Sequence, residues 1–450
     1  MMITRVDARG EPVSGASAAA IALYEQALAE LQCYSGDPLA TIDEALAESP
    51  DFVMAHCLRA YVFVLSTEAQ AAPEVQASFD AAASLPSNAR ERRHLVALRQ
   101  FLQGSWDGAI GALEDVLIDY PRDALAVQAL HLADFFVGDA RNLRDHVARV
   151  LPEWSPDDSG YHALLGMYAF GLEECGDYRR AEEAGRRAIA LNPCDAWAQH
   201  AVAHVMEMQG RAQEGIDWMT GRQGFWATNS FFAVHNWWHL ALFHLELEQV
   251  DRVLALYDGP LRGERSQVVL DLVDASALLW RLYLRGIDTG DRWNELAAAW
   301  EPLATDGFYA FNDAHAMMAF VADGRDRAAD ALLAAQQQAI SSSTGNARMT
   351  WEVGYPLCSA LRAFGRGDYS TCLSLLRPIR SRLNRFGGSH AQRDVFDLTL
   401  LEAARRDGHY ALLRGLANER IELKPSSPLS RRYRQDAARW AAQTAGIAAI

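Results

Sequence analysis

The sequence predicts an all-α protein, a helical-repeat solenoid wound as a right-handed α/α superhelix of about 16–18 helices. Three observations predict it. Apolar residues recur at helical spacing almost everywhere from residue 17 onward, and strand signals are few. Half of the 450 residues are apolar and 22% are charged, which is enough apolar surface for a sizeable core. Turn glycines fall at Gly104, Gly138, Gly176 and Gly210, separated by 34, 38 and 34 residues.

Taken along the chain, residues 1–15 are expected to be irregular. The clearest repeat is YHALLGMYAFGLEECGDYRRAEEAGRRAIALNP, residues 161–193. It reads as helix, Gly-Asp turn, helix, then Asn-Pro. Gly176 ends its first helix and Pro193 opens the next element. Ala181 and Ala188 are small where two helices must approach closely. A helix–turn–helix period of about 34 residues is that of tetratricopeptide repeats. Further turns are expected at Gly324, Gly367 and Gly408. Loops are expected at 259–265, 341–349 and 421–428. The reading is a single tetratricopeptide-like domain over 16–430 and a capping helix over 431–450.

Composition excludes several functions. Lys and Arg number 42 and Asp and Glu 58, so the net charge of −16 repels nucleic acid and anionic membranes. The Arg-rich RPIRSRLNR (377–385) spaces its charges around a helix and reads as a solvated face. No nucleic-acid or membrane partner is expected. The six cysteines form no C-x-x-C pair, which fits reduced thiols and a cytoplasmic protein. No apolar run has signal-peptide or membrane-span length. Nucleophile elbows, phosphate-binding glycine loops and H-E-x-x-H are absent.

The histidines carry the strongest functional signal. Five of thirteen fall between residues 200 and 244, in HAVAHVMEMQG and HNWWHLALFH. Two pairs are spaced i, i+4: His200 with His204, and His235 with His239. In the repeat register, Trp197, His200, His204 and Glu207 form one stripe of an inner helix. Asn236 and His239 hold matching places on the following inner helix, with His235 one turn earlier. Three readings remain open. Neutral imidazoles at this spacing ligate a transition metal such as zinc or iron, with His200, His204, His235 and His239 as candidate ligands. The same residues line a concave groove and touch a small polar molecule or peptide. Or they are hydrogen-bonded members of a polar core. Trp197 and Trp238 are either core or walls of an aromatic cage.

Other polar groups sit inside apolar helices, where an unpaired charge is costly. These are Asp271 and Asp274 in VVLDLVDASALLWRL, and Asn312, Asp313 and His315 in FYAFNDAHAMMAF. His390, Gln392, Arg393 and Asp394 follow in GGSHAQRDVF. The expectation is that Asp313, His315, Arg393 and Asp394 pair with one another or meet the histidines, unless Asp394 only favours a helix N-terminus and Arg393 is its neighbour's structural partner. Glu207, Asp313 and His315 are the candidate acid/base groups.

The segments AVAHVMEMQGRAQEGIDWM, HNWWHLALFHLE, LDLVDASALLWRL, FNDAHAMMA, GYPLCSAL, GGSHAQRDVF and LKPSSPLSRR resemble those of the tetratricopeptide repeat protein 38 family. The resemblance covers about residues 160–435 closely, and the N-terminal third by repeat architecture. It implies a helical-repeat scaffold and no particular reaction. Two functions are therefore carried forward. One is a repeat protein that binds a small polar ligand or peptide in a His/Trp/Asp-lined groove. The other is an enzyme of hydrolase or lyase type, working by a His-bound metal or a His/Asp pair. Oligomeric state is left open.

Overall fold

The computed structural model describes residues 5–447, with side chains described through Trp440. It is all-α apart from one short ladder, and its helices pair as antiparallel hairpins in the manner of tetratricopeptide repeats. Residues expected to be irregular hold strands β1 (Arg5–Val6) and β2 (Pro12–Val13), paired antiparallel. The helices are α1 (Ala18–Cys33), α2 (Pro38–Glu48), α3 (Val53–Val64), α4 (Ala72–Ser84), α5 (Ala89–Leu102), α6 (Trp106–Asp119), α7 (Ala124–Val137), α8 (Ala140–Val150), α9 (Tyr161–Glu174) and α10 (Tyr178–Leu191). There follow α11 (Ala196–Met208), α12 (Ala212–Gly221), α13 (Gln223–Trp226), α14 (Ala233–Glu246), α15 (Val250–Leu256), α16 (Val269–Leu284), α17 (Arg292–Trp300) and α18 (Ala310–Ala322). The last are α19 (Asp326–Ile340), α20 (Gly345–Met349), α21 (Tyr355–Gly365), α22 (Tyr369–Ile379), α23 (His390–Arg406), α24 (Tyr410–Leu423) and α25 (Pro428–Ile447).

The described residues thus hold 25 α-helices, against about 17 expected. The shortfall has a physical source. The expected turns were read from glycine, and all seven glycines named for them have left-handed φ between 69° and 80°. Two N-terminal turns use other residues, the α1/α2 turn beside Gly36 at φ 68° and the α3/α4 turn without a glycine. Tyr34 caps α1 at φ 54°, and Thr67 sits between α3 and α4 at φ 60°. The expected closing helix is α25; residues 448–450 lie outside the described residues. In the arginine-rich segment Pro378 lies inside α22, which ends at Ile379, and the chain continues as a 3-10 helix over Arg380–Phe386, not as a longer α-helix. Among the described residues no helix is long and apolar enough to cross a membrane.

The chain divides into two compact units. The first runs to Val202 and adds Arg222–Ala233 and Ser342–Ala347. Its hairpins are α1/α2, α3/α4, α5/α6, α7/α8 and α9/α10. The repeat read from residues 161–193 is α9/α10. Ala181 and Ala188 are buried there, and a Cβ on Gly185 would stand 2.6 Å from Val202 Cγ2. A larger residue at 185 would push α10 off α11.

This unit also buries an ionic network that the sequence did not announce. Arg90 Nη1 lies 3.1 Å from Asp7 and 3.3 Å from Asp123. Asp123 accepts from His94 Nε2 at 2.9 Å, and His94 Nδ1 meets the Tyr61 hydroxyl at 3.1 Å. Arg9 grips Glu25 with two bonds of 2.8 and 2.7 Å. Burial raises the Asp123 pKa, but His94 and Arg90 outweigh that and hold it well below the ordinary carboxylate range.

The second unit comprises Ala203–Gly221, Val234–Ser341 and the chain from Arg348 onward. Here α16 packs on α17, α18 and α23, and α18 packs on α19 and α21. The core is knit by Trp280 Nε1 donating to Thr399 at 2.9 Å and Trp300 Nε1 donating to Ser276 at 2.9 Å. Hairpin α23/α24 and the α24–α25 connection return to the start of the unit. Lys424 pairs with Glu207 at 3.5 Å, Ser426 donates to the Gly210 carbonyl at 3.3 Å, and Arg432 pairs with Glu248.

Candidate functional site

In the second unit, α14 carries His235 and His239 one turn apart, and the last turns of α11 carry His204 and Glu207. The three imidazoles converge. His204, His235 and His239 each offer a ring nitrogen, and these atoms all lie within 4.8 Å of one another. Ring centroids are 4.4 Å apart for His204 and His239 and 4.9 Å for His235 and His239. His204 and His239 are fully buried, and His235 is partly exposed.

Two of these rings are held from behind by carboxylates. His235 Nδ1 meets Asp274 Oδ2 at 2.7 Å, and His239 Nδ1 meets Glu207 Oε2 at 3.1 Å. A carboxylate on Nδ1 favours the Nδ1–H tautomer and turns the Nε2 lone pair outward. Burial, then the neighbouring His204, His235, Arg281 and Lys424, hold the His239 pKa well below that of free imidazole. The ring is therefore neutral, the form that ligates metals. Asn236, beside His235, is buried, and its side-chain amide has no hydrogen-bond partner among the described residues. Asp271, one turn before Asp274 on α16, has a pKa raised to about 6, chiefly through burial.

Beyond Glu207 a narrow cleft opens between α14, α16, α23 and α24. Its charged lining is Glu207, Glu246, Asp394, Arg281, Arg285, Arg420 and Lys424. Asp394 reaches this cleft by pairing with Arg420 through both oxygens, one at 2.9 Å. Burial raises its pKa, but Arg420 and Lys424 outweigh that and hold it far below the usual carboxylate range. Asp394 thus supports no helix start. Sequence reading missed Arg281, Arg285, Arg420 and Lys424. A usable signal was present for Arg281, a lone charge inside the apolar run SALLWRLYL, as for Asp274.

The other expected residues have the following surroundings. In the first unit, His200 packs among Trp197, Phe170 and Phe232, with ring centroids 4.9, 5.4 and 5.1 Å away. Trp197 stacks on Tyr34 at 5.2 Å and is buried, while Trp238 in the second unit is wholly buried with Arg281 5.4 Å over its ring. Both tryptophans are core members, not exposed groove walls. The expected mutual pairing of Asp313, His315, Arg393 and Asp394 does not occur. Asp313 accepts from Gln336 at 3.0 Å, His315 Nδ1 bonds the Phe311 carbonyl at 2.8 Å, and Arg393 donates to the Gly388 carbonyl. Asp313 and His315 are two residues apart on α18 and face different ways, so a helix cannot pair them. Asn312 lies buried beside Asp313. Burial lifts the Asp313 pKa to about 7 and drops that of His315 to about 4.

No protein-family model matches the chain. Solved structures similar to it are helical-repeat proteins. The human IFIT1 dimer with m7Gppp-AAAA is 14% identical over 94% of each chain, with a TM-score of 0.44. The APC/C hetero-tetramer Cut9–Hcn1 is 13% identical over 85% of this chain and 76% of that one, with a TM-score of 0.38. Yeast Tom70 is 12% identical over 90% and 85%, with a TM-score of 0.34. Likenesses this distant carry no argument about function. The fold class stands on the hairpins themselves: this is a tetratricopeptide-type repeat protein.

Proposed function

We propose that this repeat protein binds a transition metal ion, zinc or iron, through His204, His235 and His239, in service of hydrolase- or lyase-type chemistry on a small molecule. One observation carries the reading: two of three converging imidazoles are backed by carboxylates on Nδ1, with Asp274 at 2.7 Å and Glu207 at 3.1 Å. That outer arrangement orients metal-binding histidines and raises their basicity. His200, one turn before His204 on α11, shares its helix face by register. Three imidazoles leave one coordination position for water or a substrate, as in zinc sites that activate water. Glu207 and Asp274 are positioning residues here. An open groove for a peptide or small ligand, lined by these same side chains, would need them exposed. Trp197, His200, His204, Asn236 and His239 are all buried, which favours the metal. Kinship with the tetratricopeptide repeat protein 38 family is part of the same proposal, on the quoted segments.

The test is elemental analysis of untagged protein beside a His204→Ala/His235→Ala/His239→Ala variant. About one equivalent of zinc or iron per chain is expected, absent from the variant. A well-folded wild-type protein that carries no metal and takes none up would end the reading.

A further inference from the structure

The cleft next to the histidines poses its own question, because its cations are unequally matched. Arg420 is taken by Asp394, and Lys424 by Glu207. Arg281 and Arg285 sit one turn apart on α16, and neither has a carboxylate within 4 Å among the described residues. Arg281 is fully buried, yet its guanidinium donates only to the carbonyls of Ala277 at 2.9 Å and Ala391 at 2.6 Å. Arg285 donates to the Leu245 carbonyl at 2.9 Å, and its buried Nε has no partner. Burial pulls the Arg281 pKa down to about 10, while Asp394 and Glu207 offset this only in part from a distance. A buried guanidinium without a counter-charge is costly, and a fold keeps two side by side when something else supplies the charge.

The lining holds four cations and three carboxylates, a local excess of one positive charge in a chain whose net charge is −16. The cleft volume is about 40 Å³, where one water needs about 10–15 Å³. A group of a few heavy atoms fits; a peptide does not. Guanidinium forks match the paired oxygens of carboxylate and phosphate groups.

We infer that this cleft is an oxyanion subsite, in which Arg281 and Arg285 hold the carboxylate or phosphate group of a small anionic ligand. Glu207 joins it to the histidines, since one oxygen contacts His239 and the other contacts Lys424. The inference deepens the proposed function by naming the substrate class as small anions. Its placement beside a metal rests on that reading; the anion subsite itself does not.

The experiment is calorimetric titration of the full chain with inorganic phosphate and, separately, with acetate. It is done on chelator-treated and on zinc-loaded protein. At least one anion should bind saturably, and Arg285→Gln should weaken it by about tenfold or more. Arg285→Lys, which keeps the charge and loses the fork, should fall between. Circular dichroism confirms that each variant is folded, and Arg281→Lys replaces the Arg285 variants if they are not. Which anion binds identifies the group. Neither binding, or binding indifferent to both arginines, overturns the inference. The triple histidine variant separates the two proposals. An anion still bound by that variant shows that the subsite stands without the metal, and wild-type protein that takes up no zinc but binds the anion removes the metal alone, whereas zinc bound with no anion site removes the subsite alone.

Discussion

In the first unit Asp7, Arg9, Glu25, Arg90, His94 and Asp123 form a closed set of ionic groups. Arg90 lies between Asp7 and Asp123, Asp123 also holds His94, and Arg9 holds Glu25, all within 3.3 Å. In the second unit the buried groups form an open set. Three imidazoles face one another with carboxylates behind two of them, Arg281 and Arg285 donate to carbonyls and have no carboxylate within 4 Å among the described residues, with Arg281 also over the Trp238 ring, and Asp313 accepts from an amide. Both sets remove charge from water, and both contain a His–Asp contact of ordinary length. A single contact therefore does not separate a structural network from a site. What separates them is whether every charge has its opposite nearby. Every charge of the closed set has its opposite within the chain, although Arg9 Nε and Arg90 Nε and Nη2 have no hydrogen-bond partner among the described residues. The open set is what the proposed metal and anion would complete.

The largest expected effect tests the closed set. Asp123 partners Arg90 and His94 and also caps α7 by accepting from Ala126 N–H at 2.9 Å. Asp123→Ala strands a buried guanidinium beside Asp7 alone and should cost about 3–5 kcal/mol in urea unfolding, with metal content unchanged. A loss below about 1 kcal/mol would break the comparison, because the network would then be as loosely held as the histidines.

The second effect depends on pH and tests a lone charge of the open set. The Asp313 pKa is raised by burial to about 7, against about 3.9 in an unfolded chain. As pH rises from 4 the unfolded state loses this proton first, so stability falls with pH until about 7 and then levels. Asp313→Asn keeps an acceptor for Gln336 and removes the charge. It should leave stability unchanged below pH 4 and raise it by up to about 4 kcal/mol at pH 8. Parallel melting curves of wild type and variant across pH 4–8 would contradict this.

The repeat architecture was legible where glycine makes the turn, as at Gly176 between α9 and α10, because few other residues accept a left-handed φ. It was illegible where Thr67 takes that conformation between α3 and α4, since nothing in that residue type announces it. The convergence of His204 with His239 was legible through the i, i+4 spacing and the repeat register, which place neighbouring inner helices side by side. Lys424 was not, since it meets Glu207 only because the α24–α25 connection returns across more than two hundred residues of chain. Local periodicity carries no information about such closures. The Asp313–His315 pairing was a misreading that helix geometry already forbade.

The smallest effect discriminates most finely. Asp274 is to His235 what Asp123 is to His94, a buried carboxylate 2.7 Å from an imidazole where the other stands at 2.9 Å. In the closed set such a carboxylate balances a cation; in the open set it orients a ring. Asp274→Asn preserves shape and a hydrogen-bond acceptor while removing the charge. If the ring is a metal ligand, zinc affinity should fall by about 10–100-fold, roughly 1.4–2.7 kcal/mol, and unfolding of the metal-free protein should move far less than in Asp123→Ala. The measurement is a competitive zinc titration against a chelating dye, beside urea unfolding. A large loss of stability with zinc affinity intact would place Asp274 with Asp123, as a residue holding a core together, and His235 would have no more claim to a metal than His94.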